Sequence, residues 1–379
     1  MLMREYRGKA LFEAAGLKVP PARLVRSAGE FEAPEQGLPF AYPVAVKAQV
    51  RSGGRGKAGG VVRCENAHAA ERAVRALFAT DFSGERPEAI LIEPWLAIER
   101  ELYLAVTIDA SADGFTVLYA PRGGVDIESG PPPLRYPIGA AHRFRTHALR
   151  ALLSSVESEV DVRERVLGIA ERLVRIAAMH DCKTVEINPL AKLADGTLLA
   201  MDAKVLRDEW AAYRHADIAE GIAEEKLAET AEVQRCIDVG HMYVRLDGDI
   251  GLISGGAGMT MAAMDMIAQY GGRAACFLDC SPGPISAKGY APAFDMLDAD
   301  PQVSAILVSV FGGGTQMQYV AGAMRSILSG RKIRKPVVFR LDGTNVAEAE
   351  RILAEMGVPN SPTLEHAVEA VVRLAKESR

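Results

Sequence analysis

Apolar and polar positions along the chain follow two different rhythms. In the first, helical stripes and two-residue alternations are interspersed. An opening helix is predicted over about residues 3 to 16, closing at Gly16, and "LKVPPARLV" then leads in extended form into a sheet. "PVAVKAQV" alternates as a strand does, with Val44, Val46, Ala48 and Val50 on one face and Lys47 and Gln49 on the other. A short strand at "GVVRC", a helix near residues 67 to 79, and strands at "AILIEPW" and "ELYLAVTID" follow. From "APRGGVDIESG" through "PPPLRYPIG" glycine and proline dominate, which predicts an exposed, mobile loop. Val166, Ile169, Leu173 and Ile176 then form one stripe of a helix over residues 162 to 179. A hairpin, "KTVEINPLAKLADGTLLAMDAKV", is predicted to turn at Ala194-Asp195-Gly196. The acidic run "IAEGIAEEKLAETAEVQRCID" reads as a surface helix whose charges face water.

The second rhythm begins at about residue 240. "DIGLISGGAG", "RAACFLDC", "AILVSVFGGG" and "PVVFRLDG" are short apolar runs that end in glycine or a turn and lead into amphipathic helices. That alternation predicts a parallel α/β sheet of flavodoxin-like type, with ligands at the carboxyl ends of its strands. With 379 residues the chain exceeds what one core organises, so the change of texture is read as a domain boundary near residues 235 to 242. The expected division is 1–238 and 239–379.

Composition narrows the partners. Hydrophobic content of 49% with 25% charged residues is that of a soluble globular protein. A net charge of −5 gives no basic face for nucleic acid, so a basic loop in this chain fits a small anion better. The five cysteines show no CxxC pairing and are read as reduced thiols. No apolar run approaches the roughly 20 residues needed to cross a bilayer. The charged start "MLMREYRGKALFEAAGL" has no leader-like apolar core, and a cytoplasmic location is expected, with no membrane partner.

Candidate chemistry starts at "VKAQVRSGGRGKAGGV". Binding a nucleotide on a sheet needs a strand lysine that reaches phosphate and a loop offering backbone N–H groups close by. Lys47 and the glycines that follow supply both, although the loop is not a Walker A motif. On "TVEINPL", Glu186 and Asn188 share a face opposite Val185 and Ile187. A three-residue loop with Gly196 left-handed sets Asn188 opposite Asp202, whereas a two-residue turn throws Asp202 to the other face. Two such oxygen ligands suit Mg²⁺, which keeps phosphate oxygens in its shell. Taken singly, each feature has a plainer reading: a strand lysine in solvent, a flexible glycine hairpin, and polar residues on the wet face of a half-buried hairpin.

Together, "EYRGKALFEAAGLKVP", "VKAQVRSGGRGKAGGV", "ELYL", "EINPL" and "FLD…FGG" resemble the β subunit of the ADP-forming succinyl-CoA synthetases, in order and almost end to end. The resemblance implies an ATP-grasp domain followed by a flavodoxin-like domain. It also implies nucleotide contacts at Lys47, Gly54, Arg55, Gly56, Glu93, the hinge at Leu96, and Glu101, with Mg²⁺ at Asn188 and Asp202. Glu186 matches the carboxylate that meets the phosphorylated histidine when that histidine visits the nucleotide site. The implied reaction joins an organic acid to CoA with ATP, giving ADP and phosphate; GTP and GDP are used by some members. None of the seven histidines (68, 142, 147, 180, 215, 241 and 366) matches the phosphorylated residue, which belongs, with the CoA fold, to a partner α subunit.

The acid region departs from the family pattern. The family's acid-contacting Asn falls at Gly255, and its "FGGIV" reads "FGGGT", leaving Gly314, Thr315 and Gln316 at the acid pocket. "CSPGP" replaces a glycine run after "FLD", and "DGK" has become "DAK" at Ala203. A larger, more polar pocket is expected, suited to a hydroxylated, tricarboxylic or sulfonated acid over plain succinate. Two other classes stay open at this point: a stand-alone ATP-grasp carboxylate–amine ligase and a non-catalytic scaffold.

Overall fold

The computed structural model describes residues 1–31, 38–51, 55–82, 85–124, 127, 130–330 and 333–378. Two compact units divide the chain, Met1–Ile222 and Ala223–Arg379.

The first unit opens with α1 (Glu5–Ala14). A small antiparallel sheet follows, built from β1 (Arg23–Val25), β2 (Val44–Gln49), β3 (Val61–Cys64) and β4 (Ala89–Pro94) in the order β1-β4-β2-β3. Helix α2 (Ala67–Ala79), capped by the Asn66 side chain, covers one face of it. The apolar half of the β2 alternation, Val44, Val46, Ala48 and Val50, packs there with Ile90, Ile92, Val74 and Leu77. Each fully buried Val or Ile of that layer contributes about 1.5–3 kcal/mol. Lys47 and Gln49 are thereby forced to the opposite face.

The larger sheet contains β5 (Ile98–Asp109), β6 (Gly114–Ala120), β7 (Leu134–Gly139), β8 (Cys182–Leu193), β9 (Leu198–Ala200) and β10 (Lys204–Arg207). Its order is β10-β8-β5-β6-β7, with β9 paired to β8. Helices α3 (Thr146–Leu153) and α4 (Val160–Met179) lie on it, and Val166, Ile169, Leu173 and Ile176 bury the expected stripe against Leu104, Val106, Val185 and Ile187. Part of the expected mobile loop is a strand. "LRYPIG" is β7, because Tyr136 and Ile138 alternate into the core and Pro137 sits on an edge strand, where a missing N–H is tolerated.

The hairpin turns where the sequence places it. Leu193 N–H donates to the Thr197 carbonyl (2.9 Å), Gly196 N–H donates back to Leu193 (2.9 Å), and Gly196 takes φ +78. Leu190 then pairs with Ala200 and Glu186 with Lys204, so Asn188 and Asp202 stand opposite each other between these pairs.

The expected single acidic helix is two, α5 (Ala216–Ala228) and α6 (Ala231–Asp238), because the Thr230 hydroxyl caps a new helix by accepting Val233 N–H (3.4 Å). Val233 and Cys236 of α6 belong to the core of the second unit, which therefore starts ahead of the division expected at residues 238 and 239.

The second unit runs β11 (Met242–Arg245), β12 (Ile250–Gly255), α7 (Ala257–Gln269), β13 (Cys276–Asp279), α8 (Ala287–Ala299), β14 (Ala305–Gly312), α9 (Met317–Gly330), β15 (Val337–Gly343), α10 (Val346–Glu355) and α11 (Leu364–Glu377). Its sheet order is β11-β13-β12-β14-β15, parallel except for the antiparallel edge strand β11. The parallel strands thus have the flavodoxin-type order, with its switch point between β12 and β14. All five cysteines are unpaired and buried. Among the described residues no helix is long and apolar enough to cross a membrane.

Candidate nucleotide and acid sites

On the polar face of β2 the first unit gathers a buried ionic cluster. Lys47 Nζ lies 2.6 Å from Glu93 Oε2 and 3.1 Å from Glu5 Oε1, and donates to the Met201 carbonyl at 3.0 Å. Lys9 pairs with Glu5 at 2.7 Å and with Glu93. Arg55 pairs with Glu5, approaches both Asp202 oxygens at 3.4 Å, and donates to the Ala48 carbonyl at 3.0 Å. Burial alone would push the Lys47 ammonium down, but Glu5, Glu93 and Asp202 outweigh it and hold its pKa above the ordinary lysine value. Glu5 is the mirror case: Lys47, Lys9 and Arg55 overcome its burial and hold it well below the usual carboxylate range. Asp202 is crowded yet keeps 42% of its side chain open to water, and that crowding with the Glu5 charge pushes it up.

Of the expected nucleotide residues, Lys47, Arg55 and Glu93 are therefore together, but the Glu93 carboxylate is spent on Lys9 and Lys47 inside the unit and faces no solvent. Leu96 is half-buried in the link between β4 and β5. Gly54 lies outside the described residues. Gly56 is exposed in the turn that Gly60 N–H closes on the Arg55 carbonyl (2.7 Å). Glu101 is on β5, exposed, and its carboxylate abuts Gly124, where a Cβ would come within 2.3 Å of Oε2.

Gly124 also meets Asn188. Its N–H donates to Asn188 Oδ1 (2.6 Å), and Asn188 Nδ2 donates to its carbonyl (3.2 Å). Glu186 accepts from the Tyr103 hydroxyl at 3.3 Å; burial and that carboxylate both raise the Tyr103 pKa. Asn188 and Asp202 offer hard oxygen donors from facing positions, a set that fits Mg²⁺ when phosphates supply further oxygens. Among the described residues no group of three or more His, Cys, Asp or Glu forms a metal cage.

Sequence reasoning overlooked Glu5, Lys9, Tyr103 and Gly124. The first two carried a signal: Glu5, Gly8, Lys9 and Phe12 are the buried stripe of α1, at the spacing an ordinary helix gives to apolar residues.

In the second unit, Gly255 ends β12 beside Val310 of β14. Asp279 accepts N–H bonds from Gly256 (2.7 Å) and Ser281 (2.8 Å), and Gly256 adopts φ +101 at the start of α7. Gly314 is exposed with no atom near its Cβ direction, and Thr315 packs on Gly312. The Gln316 Oε1 accepts from Gln318 (2.7 Å) and Asn345 (3.2 Å).

The ATP-grasp domain family matches residues 2–192 and the CoA-ligase family residues 253–374. Succinate–CoA ligase [ADP-forming] subunit β of Desulfurococcus amylolyticus is 35% identical over 386 residues, covering 99% of each chain. The same subunit of Halobacterium salinarum is 37% identical over 100% of this chain and 99% of its own. The chain belongs to the succinate–CoA ligase β-subunit family. Its fold also matches ATP citrate lyase from Methanothrix soehngenii, solved with citrate and coenzyme A, at TM-score 0.67 and 18% identity over 99% of both chains. It is an ATP-grasp CoA ligase of the ADP-forming kind.

Against that family pattern the departures gain physical content. The alanine of "DAK" packs against Gly8 of α1, where a Cβ would meet the Ala203 Cβ at 3.0 Å. Gly255 also has a packing reason of its own, because a Cβ there would meet Val310 Cγ1 at 2.9 Å. The "CSPGP" loop rests on His241, whose ring lies 2.9 Å from a Cβ built on Gly283 and whose buried Nδ1 has no hydrogen-bond partner among the described residues. Burial pushes the His241 pKa down, with Asp279 opposing. With the folded value below the unfolded one, the unfolded chain binds more protons as pH falls through about 6.5, so stability drops in that direction. Thermal unfolding from about pH 7.5 to about 5.5 is expected to show that fall, and His241→Leu to flatten it. An unchanged slope in the variant would contradict the assignment.

Proposed function

We propose that this chain is the nucleotide-binding β subunit of an acid–CoA ligase that forms ADP, and that it works only with an α subunit carrying the phosphorylated histidine and the CoA site. The observation that carries the reading is the convergence of Lys47, Arg55 and Asp202 beside the Asn188 hairpin position. These are two phosphate-seeking cations and a carboxylate, with Asn188 across the hairpin from that carboxylate. Lys47 and the backbone of Arg55 and Gly56 hold the nucleotide phosphates, while Leu96 and the Glu101 end of β5 border the base and ribose. Asn188 and Asp202 would hold Mg²⁺, which when bound neutralises charge on the phosphate oxygens. Glu186, steadied by the Tyr103 hydroxyl, accepts a hydrogen bond from the visiting imidazole and so orients the opposite ring nitrogen toward the γ-phosphorus. That nitrogen forms the new N–P bond as the bond to the ADP oxygen breaks. The phosphoryl group then passes to the acid carboxylate, and CoA sulfur displaces phosphate to give the thioester.

Thr315 and Gln316, with Gly255 and Gly314, border the acid, and their hydrogen-bonding groups favour a substrate more polar than succinate, such as malate, citrate or a sulfonated acid. The test is to purify the chain alone and with its α-like partner, then follow acid-dependent ADP release and thioester formation with ATP and with GTP. The isolated chain is expected to make no acyl-CoA, and the pair to give its highest kcat/KM with a hydroxylated, tricarboxylic or sulfonated acid. Succinate at the head of the panel would refute the acid assignment. Thioester formation by the chain alone would refute the need for a partner.

A further inference from the structure

Glu5 is a carboxylate buried at the start of α1, 3% exposed, and three cations and an amide converge on it. Lys9 is at 2.7 Å, Lys47 at 3.1 Å, Arg55 in close contact, and Gln49 Nε2 donates at 3.3 Å. Two of these groups, Lys47 and Arg55, are the cations assigned above to the nucleotide phosphates. A carboxylate and a phosphate present the same kind of acceptor to such donors, so one can stand where the other acts. The cluster is also balanced: Lys9, Lys47 and Arg55 face Glu5, Glu93 and Asp202. An arriving polyphosphate therefore finds cations that are already paired.

We infer that Glu5 is the internal stand-in for the nucleotide phosphates, a positioning residue that aims Lys47 and Arg55 in the free chain and yields them when nucleotide binds. Lys9 sets the strength of that hold. It shares Glu5 and Glu93 with Lys47, and without it both carboxylates fall to Lys47 and Arg55 alone. The inference rests on the nucleotide-site reading and goes beyond it by assigning α1 a part in affinity.

The two variants pull in opposite directions, which a merely structural role would not produce. Removing one buried negative charge in Glu5→Gln is expected to tighten Mg-free ADP binding about tenfold, and removing one positive charge in Lys9→Met to weaken it about tenfold. Both shifts should change little as salt is raised, because buried charges are only weakly screened. Glu5→Asp, which keeps the charge, should bind close to wild type. Titration calorimetry of the full chain with ADP in EDTA measures all four proteins. Glu5→Gln that binds ADP no more tightly than wild type overturns the inference, as does Lys9→Met that binds no more weakly. If Glu5→Gln fails to fold, the Lys9→Met result decides alone. Wild-type chain that takes up no ADP overturns the nucleotide reading itself, whereas wild-type uptake without the Glu5→Gln gain overturns the role of Glu5 only.

Discussion

Replacing Lys47 with alanine is expected to weaken Mg·ADP binding by at least about hundredfold and to cost the first unit about 3–5 kcal/mol of stability. Both effects have one origin. Lys47 is buried between Glu5 and Glu93, and Glu93 is wholly inaccessible to solvent. Without the ammonium, Glu93 is left to Lys9 and Glu5 to Lys9 and Arg55, and the site turns from balanced to negative, which repels phosphate. Because lost binding could follow from lost folding, Lys47→Arg separates the two. Its charge keeps the ion pairs, so denaturant unfolding should stay within about 1.5 kcal/mol of wild type. The planar guanidinium cannot reproduce a point charge on the same stem, so ADP should still bind about tenfold more weakly. Calorimetry with Mg·ADP beside urea unfolding gives both quantities. A Lys47→Ala chain that folds and binds ADP as wild type does would remove Lys47 from the site.

What was legible in the sequence followed from faces. β2 could be read because one half of its alternation packs under α2, so the other half had to be polar and grouped. The hairpin could be read because the turn over Ala194 to Gly196 admits few geometries, and the side-chain period of two then dictates that Asn188 faces Asp202. β7 was hidden by its composition: three prolines precede it and one lies within it, and only its edge position makes that affordable. Glu5 and Lys9 were hidden for a different reason. Charges in a first helix normally read as a wet face, and only the tertiary neighbours Lys47, Glu93 and Arg55 make burial of this pair tolerable. Glu93 illustrates the converse, a residue placed correctly on its strand whose carboxylate turns inward to Lys47 and Lys9, away from the solvent a ligand would arrive from.

Asp202→Asn is expected to make nucleotide affinity almost indifferent to magnesium. The Asp202 oxygens are loosely held: Arg55 Nη2 stands 3.4 Å from each, beyond the range of a strong hydrogen bond, and among the described residues the close donor is the N–H of Ala203 at 2.7 Å. A carboxylate in that state can be claimed by a dication without first breaking a tight pair. Removing its charge deletes the one anionic protein ligand of the assigned pair, and Mg·ADP affinity should fall about hundredfold. Mg-free ADP should bind at least as well as in wild type, because one negative charge near the phosphates is gone. Asn188→Ala should lose less, about tenfold, since it removes a neutral ligand and leaves the charge in place. The opposite responses with and without metal distinguish this from general damage, which would weaken both. Calorimetry with ADP in magnesium and in EDTA reads the difference. An Asp202→Asn chain whose ADP affinity still rises with magnesium as much as wild type would place the cation on other oxygens. The hairpin register would then describe only how the sheet is built.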